Sequence, residues 1–287
     1  MSDKRKKVSI PELYGMVERG ERISFLTAYD YPMARLEDRA GVDMILVGDS
    51  GAMCMLGHPT TLQASMDFMV EITAAVSRAA SRAFVVGDMP YMSYQPSDEV
   101  AVKNAGRFIA EGGADAVKLE GGARMAPRVE AIVDAGIPVM GHIGLTPQAA
   151  GMIGGLKSQG RDAETALSLM EDAEFLEDSG VFSILLEAIP ARVAEEMVKR
   201  ASVPMLSIGS GPACDGQLLI VHDILGLFEA FTPKFVKKYA DVAQTMTSAF
   251  EEYVRDVRGG EFPATEHTYR IPDEEWSRLE QALREAE

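Results

Sequence analysis

The stretch Val42-Asp-Met-Ile-Leu-Val-Gly-Asp49 decides the fold, because it is a short apolar run that ends in a carboxylate. Such a run is typical of a parallel strand that is buried on both faces. The pattern recurs in runs that end at Asp88, Glu120, His142 and Glu187. In a (β/α)8 barrel the strand ends surround one mouth, which carries the chemistry. The sequence therefore predicts acids that converge on a site for a hard metal ion and a base.

The alternation of apolar runs with helical patterns predicts an α/β fold, a single-domain (β/α)8 TIM barrel. We predict strands at 23–27, 43–48, 83–87, 115–119, 137–141, 181–186, 203–208 and 234–238. We predict helices at 32–40, 65–81, 97–111, 125–135, 163–179, 191–201, 215–227 and 242–257. The domain division is a tail with a short helix at 1–22, the catalytic barrel at 23–259 and a polar extension at 260–287, with a surface helix at 273–285.

The composition excludes several classes of function. A net charge of −16 disfavours nucleic acid and anionic lipid as partners. No apolar stretch approaches the roughly 20 residues that span a bilayer, and no secretory signal opens the chain. The two cysteines give neither a disulfide framework nor a paired metal-ligand spacing. We expect a cytoplasmic protein whose partners are small molecules.

Three predicted strands in succession end in Asp49, Asp88 and Glu120. Neighbouring strands lie about 4.8 Å apart, so these side chains can share one ion. Carboxylate oxygens suit Mg²⁺, which retains waters and accepts a substrate as a further ligand. The alternative is that each acid caps the helix that follows its strand.

Lys118, His142 and Glu187 complete the predicted site. Lys118 lies two residues before Glu120, so both side chains point to the same face and Lys118 can offset an anionic substrate or form a structural ion pair. Apolar neighbours raise the pKa of Glu187 toward a value useful for a base, unless this acid is structural. His142 could donate to a substrate oxygen, although a lone histidine is more often structural.

Other features make weaker predictions. His58 and His222 are weaker candidates than His142, and Gly209-Ser-Gly211 follows the seventh predicted strand, where barrels commonly bind anions. The long segments 49–65 and 142–161 both follow strands, which is typical of lids or binding loops.

At these residues the chain resembles the ketopantoate hydroxymethyltransferase (3-methyl-2-oxobutanoate hydroxymethyltransferase) family, from about Leu26 to His267. The blocks that carry the resemblance are Thr27-Ala-Tyr-Asp-Tyr-Pro, Val47-Gly-Asp-Ser, Gly87-Asp-Met-Pro, Val117-Lys-Leu-Glu-Gly-Gly, Met140-Gly-His-Ile-Gly-Leu-Thr-Pro-Gln, Leu186-Glu, Cys214-Asp-Gly-Gln, His222-Asp and Pro233-Lys-Phe-Val-Lys-Lys-Tyr-Ala-Asp.

The resemblance implies a magnesium-dependent enzyme of pantothenate and coenzyme A biosynthesis. It implies transfer of a one-carbon unit from 5,10-methylenetetrahydrofolate to 3-methyl-2-oxobutanoate through an enolate, and a homo-oligomer, commonly a decamer. Carried over residue by residue, it implies a metal site, substrate-binding positions and a proton acceptor. The metal ligands would be Asp49, Asp88 and Glu120; the substrate-binding residues Asp49, Ser50, Asp88, Lys118 and His142; the base Glu187.

Two loops depart from the family pattern. Pro59 stands where the family has an acid and Gln63 where it has a proline, while Leu156 and Ser158 replace a tyrosine and a valine. These changes leave the identity of the 2-oxo acid and of the donor open. They also leave two rival functions, a metal-dependent lyase or aldolase of the phosphoenolpyruvate mutase/isocitrate lyase type, and a non-catalytic binding protein on a retained barrel.

Overall fold

The computed structural model describes residues 6–286, so the first five residues of the predicted N-terminal tail lie outside the described residues. Eight parallel strands close a barrel in sequence order, which confirms the predicted (β/α)8 fold. The strands are β1 Ile23–Thr27, β2 Met44–Val47, β3 Phe84–Asp88, β4 Ala116–Glu120, β5 Val139–Gly144, β6 Ser183–Glu187, β7 Met205–Ile208 and β8 Gly216–Leu219.

The helices surround the barrel, enter its loops or follow it in the chain. They are α1 Ile10–Glu18, α2 Tyr31–Ala40, α3 Gly51–Cys54, α4 Met66–Ala79, α5 Asp98–Ala110, α6 Ala126–Asp134, α7 Ala150–Ile153, α8 Ala163–Asp178, α9 Ala191–Arg200, α10 Val221–Ile224, α11 Val242–Gly259 and α12 Asp273–Glu285. Single 3₁₀ turns occur at Thr61–Gln63, Ala123–Met125, Pro147–Ala149 and Thr265–His267. No helix within residues 6–286 is both long and apolar enough to span a bilayer.

The eighth strand differs from the prediction. Residues 234–238, predicted as a strand, form no strand, and the predicted helix 215–227 is replaced by β8 and the one-turn helix α10. Strand β8 pairs with both β1 and β7, and Gly216 lies so close to Ile23 that an added Cβ would approach the Ile23 carbonyl oxygen to 2.6 Å. A short apolar run does not reveal by periodicity whether it is helix or strand. The rule of one helix after each strand also fails, because β7 leads to β8 through a loop.

Strand alternation explains how polar side chains enter the barrel. The interior cluster contains every second residue of several strands, among them Met44, Phe84, Val86, Ala116 and Met140. Side chains two residues apart share a face of a strand. The inward series therefore continues to Asp88, Glu120 and His142 at the strand ends, whereas Asp49 lies beyond the end of β2 and outside this alternation. Helix α1 packs against the same interior cluster through Leu13 and Met16.

The chain divides into two compact units, one that extends to Tyr239 and contains the barrel, and one from Ala240 onward. The predicted division at residues 22 and 259 stays a prediction. In the second unit, α11 exposes Phe250 and Tyr253, and α12, at the bounds predicted for the surface helix, exposes Trp276 and Leu283.

Candidate active site

One cavity of about 420 Å³ opens at the carboxyl ends of the strands. Its deep part, here called the cavity floor, consists of the six polar side chains Asp49, Asp88, Lys118, Glu120, His142 and Glu187. Its outer wall consists of residues from the short helices and loops that follow the strands, namely Met53, Leu156, Asp223, Phe228 and Phe231. The structure thus brings all of the predicted acids, the lysine and the histidine together, with Ser50 beside them.

Strand register sets the order of the floor residues around the barrel. Asp88 is paired with Lys118 across β3 and β4, Glu120 with His142 across β4 and β5. Each of these four side chains is nearly inaccessible to solvent. Asp49 follows the end of β2, and its backbone N–H donates to Asp88 Oδ2 at 3.1 Å. The acids of the β2 and β3 ends are therefore neighbours.

A continuous row of polar contacts crosses the floor. Lys118 Nζ lies 2.8 Å from Asp88 Oδ1 and 3.3 Å from His142 Nδ1. On the other side of the ring, His142 Nε2 lies 3.1 Å from Glu187 Oε2. An ammonium can only donate, so Nδ1 is the acceptor in a neutral imidazole and the ring proton is on Nε2, toward Glu187. Lys118 makes the predicted ion pair, and it also faces the cavity.

Burial shifts the ionisation of the floor. Loss of solvent raises the pKa of Asp49 and of Asp88 to about 6 and that of Glu120 to about 7, and repulsion between the acids adds to each increase. Burial also raises the pKa of Glu187. Burial and the Lys118 charge lower the pKa of His142. The floor thus holds a neutral imidazole beside an acid that accepts protons more readily than an exposed carboxylate.

Lys118 stays charged in this environment. Burial alone would lower its pKa, but the carboxylates of Asp88, Glu120 and Asp49 together raise it. A buried ammonium is stable only with such partners. The floor consequently offers one fixed positive charge to an anionic substrate.

Gln148 joins the acids from the loop after β5, and the sequence interpretation did not single it out. Its Nε2 donates to Asp49 Oδ2 and to the Met89 carbonyl, both at 3.0 Å. Its backbone N–H donates to Glu120 Oε2 at 2.9 Å, and its Oε1 lies 2.9 Å from the Tyr94 hydroxyl. The position of Gln148 in the block Met140–Gln148 was visible in the sequence, but its partners come from distant segments.

The capping alternative for the three acids does not describe this structure. The one-turn helix α3, which directly follows Asp49, has no side-chain cap, and helices α4 and α5 are capped by Ser65 and Ser97. In the turn that follows β4, the backbone N–H of Ala123 donates to Asp172. The three acids instead bond to one another's backbone, to Lys118 or to Gln148. Their side chains are thus held for the cavity and not for helix ends.

The turn after β6 fixes the direction of Glu187. Ala188 adopts a φ of +50°, a left-handed conformation that is uncommon for residues other than glycine. The hydroxyl of Ser210 donates to the Leu186 carbonyl and accepts from Ile189 N, which brackets this turn on both sides. An uncommon backbone conformation of this kind persists where the surrounding contacts hold it in place. Ser210 is thereby occupied in the interior, which argues against the anion-binding interpretation of Gly209-Ser-Gly211.

Of the other candidates, His222 packs against Tyr29 with ring centroids 5.3 Å apart and ring planes tilted by 46°. The Tyr29 hydroxyl lies 2.9 Å from Ser50 Oγ, which holds Ser50 at the cavity. His58 does not line the cavity. His222 thus supports the wall from behind, and neither histidine joins the floor.

Asp49 and Asp88 are neighbouring buried carboxylates that could hold a divalent cation. Within residues 6–286 no group of three or more His, Cys, Asp and Glu side chains is arranged to enclose a metal ion, so the predicted three-ligand set stays a prediction. Mg²⁺, however, is commonly bound by one or two carboxylates and retains several waters. Three buried carboxylates beside a single lysine also carry negative charge that a cation would offset. The donor set therefore fits a hydrated magnesium ion.

The chain was compared with known proteins. The family model described as ketopantoate hydroxymethyltransferase matches residues 7–265. The 3-methyl-2-oxobutanoate hydroxymethyltransferase of Oleidesulfovibrio alaskensis is 54% identical over 260 residues, which cover 91% of this chain and 90% of the relative. The enzyme of the same name from Moorella thermoacetica is 53% identical over 93% of this chain and 99% of the relative.

Solved structures resemble the chain at lower identity. A phosphonopyruvate hydrolase complex with oxalate and Mg²⁺ has a TM-score of 0.59 at 14% identity and covers 96% of this chain and 98% of its own. A phosphoenolpyruvate phosphomutase from Streptomyces platensis has a TM-score of 0.60 at 15% identity, over 97% and 98%. At such identities the likeness concerns the fold. The family match and the close relatives settle membership: this chain belongs to the ketopantoate hydroxymethyltransferase family.

Proposed function

We propose that the protein transfers a hydroxymethyl group from 5,10-methylenetetrahydrofolate to 3-methyl-2-oxobutanoate and so forms 2-dehydropantoate for pantothenate biosynthesis. The observation that supports the proposal is the floor geometry, in which Glu187 is joined through His142 and Lys118 to buried acids. Relatives that share about half of their residues with this chain carry the corresponding name.

Magnesium bound at Asp49 and Asp88, with Glu120 as the third acid of the site, would supply Lewis acidity to the carboxylate and keto oxygens of the 2-oxo acid. Lys118 would bind the substrate's negative charge with its ammonium, while Ser50 and His142 would contact its oxygen atoms. Glu187 would take the proton from C3, because its raised pKa and its place beside the neutral His142 suit a proton acceptor. Water would add to the methylene carbon of the folate, and tetrahydrofolate would leave as both carbon–nitrogen bonds break. The carbon nucleophile formed at C3 would bond to that carbon, and the oxygen of the added water would become the new hydroxyl group.

The apolar part of the cavity suits the branched side chain and separates the reacting carbon from bulk solvent. Leu46, Leu185, Ile208 and Leu218, all of which lie on barrel strands, line it beside the floor. A dry site strengthens the electrostatic interactions that stabilise developing negative charge. These walls support a branched aliphatic substrate better than a second anionic group.

We also propose a homo-oligomer in the cytoplasm. The apolar side chains that α11 and α12 expose would be covered in an assembly of identical chains, as large exposed apolar patches usually are. Cys54 and Cys214 are both free, which supports a reducing compartment. Light scattering of the purified protein would give the number of subunits, and a monomer would contradict the proposal.

The catalytic proposal is tested with purified protein, Mg²⁺, 3-methyl-2-oxobutanoate and methylenetetrahydrofolate, with 2-dehydropantoate as the product measured. In deuterium oxide without folate, the C3 proton of the oxo acid should exchange. Exchange without product would retain the floor chemistry but reject the folate donor. Cleavage of 2-dehydropantoate without folate would instead favour the lyase alternative.

A further inference from the structure

Asp223 is a buried carboxylate that has no role in the reaction proposed above. It lies in α10, directly after β8, and only 5% of its surface is exposed, yet it lines the cavity. In the part of the chain that the structure describes, no group donates a hydrogen bond to its oxygens, and Lys238 is the charged group that acts on it. Buried carboxylates are normally hydrogen-bonded, so this one has unused acceptor capacity that faces the cavity.

The surroundings of Asp223 suit a flat, mostly apolar ligand. Met53, Phe228 and Phe231 line the same cavity and supply thioether and aromatic surfaces. Phe231 is 69% exposed, so its ring is available to cover a ligand. Aromatic rings stack favourably on flat heterocycles, and the carboxylate would fix the orientation of such a ring.

The size of the cavity and the place of Asp223 leave room for a second substrate. A five-carbon oxo acid at the floor occupies a minor part of about 420 Å³. In the closed ring, β8 lies opposite β4, whereas the base is on β6 and the acids follow β2, β3 and β4. A ring system held at Asp223 would therefore extend across the mouth toward the strands that carry the reacting groups.

We propose that Asp223 binds the reduced pterin of the one-carbon donor by accepting hydrogen bonds from its ring N3–H and its 2-amino group. Two adjacent N–H donors match the two oxygens of one carboxylate, an arrangement that gives orientation as well as affinity. The proposal rests on the proposed folate-dependent function and assigns the donor's binding site. Lys157 and Lys234, which also line the cavity, would face the anionic tail of the donor.

Asp223→Asn tests the assignment, because it retains the size of the side chain but replaces one acceptor by a donor. We expect the KM for methylenetetrahydrofolate to rise roughly 10- to 100-fold, the range for lost hydrogen bonds to a charged group. The KM for the oxo acid and its folate-independent C3 proton exchange should not change. Glu229→Gln, a neutralised acid on the exposed part of the following loop, is the matched control and should leave all three values unchanged.

Calorimetric titration with tetrahydrofolate measures the contact without turnover. A 2-desamino analogue of tetrahydrofolate should bind the wild type about tenfold more weakly than tetrahydrofolate does, and Asp223→Asn should remove that difference.

Wild-type protein that binds both compounds equally would overturn the assignment even if the variant failed to fold. An unchanged folate KM in a folded variant would also overturn it and leave the proposed function intact. A loss of proton exchange in Asp223→Asn would show that this residue acts on the floor. A wild type that makes no 2-dehydropantoate would reject the proposed function, and the titrations would still decide the assignment.

Discussion

The carboxylates of the cavity floor and the carboxylate of the outer wall differ in the hydrogen bonds that they accept. On the floor, Asp49, Asp88 and Glu120 each accept a hydrogen bond from a backbone or side-chain N–H of Asp49 or Gln148. On the outer wall, Asp223 has no such donor among residues 6–286. A carboxylate oxygen that already accepts a hydrogen bond from the protein is held in place, whereas an acceptor without a protein donor gains most when a ligand supplies one. We infer that the side-chain geometry of the floor is fixed before a substrate binds, whereas the outer wall presents an acceptor that a ligand can use.

The largest effect that would test this division is expected from Glu187→Gln. The amide cannot accept the substrate proton, so C3 proton exchange should fall by about 10²- to 10⁴-fold, the contribution typical of a general base. Affinity for Mn²⁺, measured by electron paramagnetic resonance, should remain within about twofold, because Glu187 lies on β6, away from Asp49 and Asp88. Loss of Mn²⁺ affinity would indicate that Glu187 is a metal ligand and not the general base.

Removal of the floor's positive charge is the next test. Lys118→Met leaves Asp88 and Glu120 without the ammonium that lies 2.8 Å and 3.7 Å from them. Loss of one member of a buried ion pair should lower the free energy of unfolding by about 3 to 5 kcal/mol at pH 8. Acids whose folded-state pKa is raised destabilise the fold as the pH rises through that value, so the loss should shrink toward pH 5, where they are protonated.

The control for this variant is Lys199→Met, which removes an exposed pair with Glu196. Exposed pairs contribute little to stability because solvent screens them, so this variant should unfold almost like the wild type at both pH values. Urea unfolding gives both numbers. A loss in Lys118→Met that does not depend on pH would mean that packing, and not charge, explains the role of Lys118.

The sequence predicted the floor better than the loops around it. The strand ends could be identified in the sequence because a carboxylate directly after an apolar run is unusual. Strand alternation then predicts which side chains point inward, as it does for Lys118 and Glu120. Gln148 and Asp223 were not readable in this way, because their importance depends on contacts between segments that are far apart in the chain. The same limit explains the misplaced eighth strand, since only pairing with Ile23 and Leu206 distinguishes Gly216–Leu219 from a helix.

Gln148→Met tests whether the floor needs a donor from the loop after β5. Methionine has a similar length but donates no hydrogen bond, so Asp49 Oδ2 would lose the partner at 3.0 Å. Side chains that orient metal ligands typically contribute 10- to 100-fold to metal affinity. We expect Mn²⁺ to bind about tenfold more weakly, and the free energy of unfolding to fall by about 1 to 3 kcal/mol because buried partners of the amide are left without a hydrogen bond.

Gln95→Met is the matched control, because Gln95 donates to the Oε1 of the same amide from its outer side, at 3.2 Å. This variant should bind Mn²⁺ within about twofold of the wild type. Equal weakening in both variants would mean that the whole hydrogen-bonded cluster acts as a unit. Unchanged affinity in Gln148→Met would mean that Asp49 holds its position without help.

The smallest effect is expected at the turn that directs Glu187. Ser210→Ala removes the hydroxyl that bonds to the Leu186 carbonyl and to Ile189 N, and both bonds are buried. The unfolding free energy should fall by about 1 to 3 kcal/mol, the range for buried groups left without a partner. Turnover should also fall a few-fold under conditions in which the variant is fully folded. The reason is that the left-handed turn at Ala188 would no longer be held and Glu187 would sample other directions.

Ser179→Ala, which removes an exposed hydroxyl bond at the end of α8, should change neither the unfolding free energy nor the turnover measurably. Unchanged proton exchange in Ser210→Ala would mean that the pairing of β6 with its neighbours is sufficient to aim Glu187, and that the floor is rigid without support from the turn.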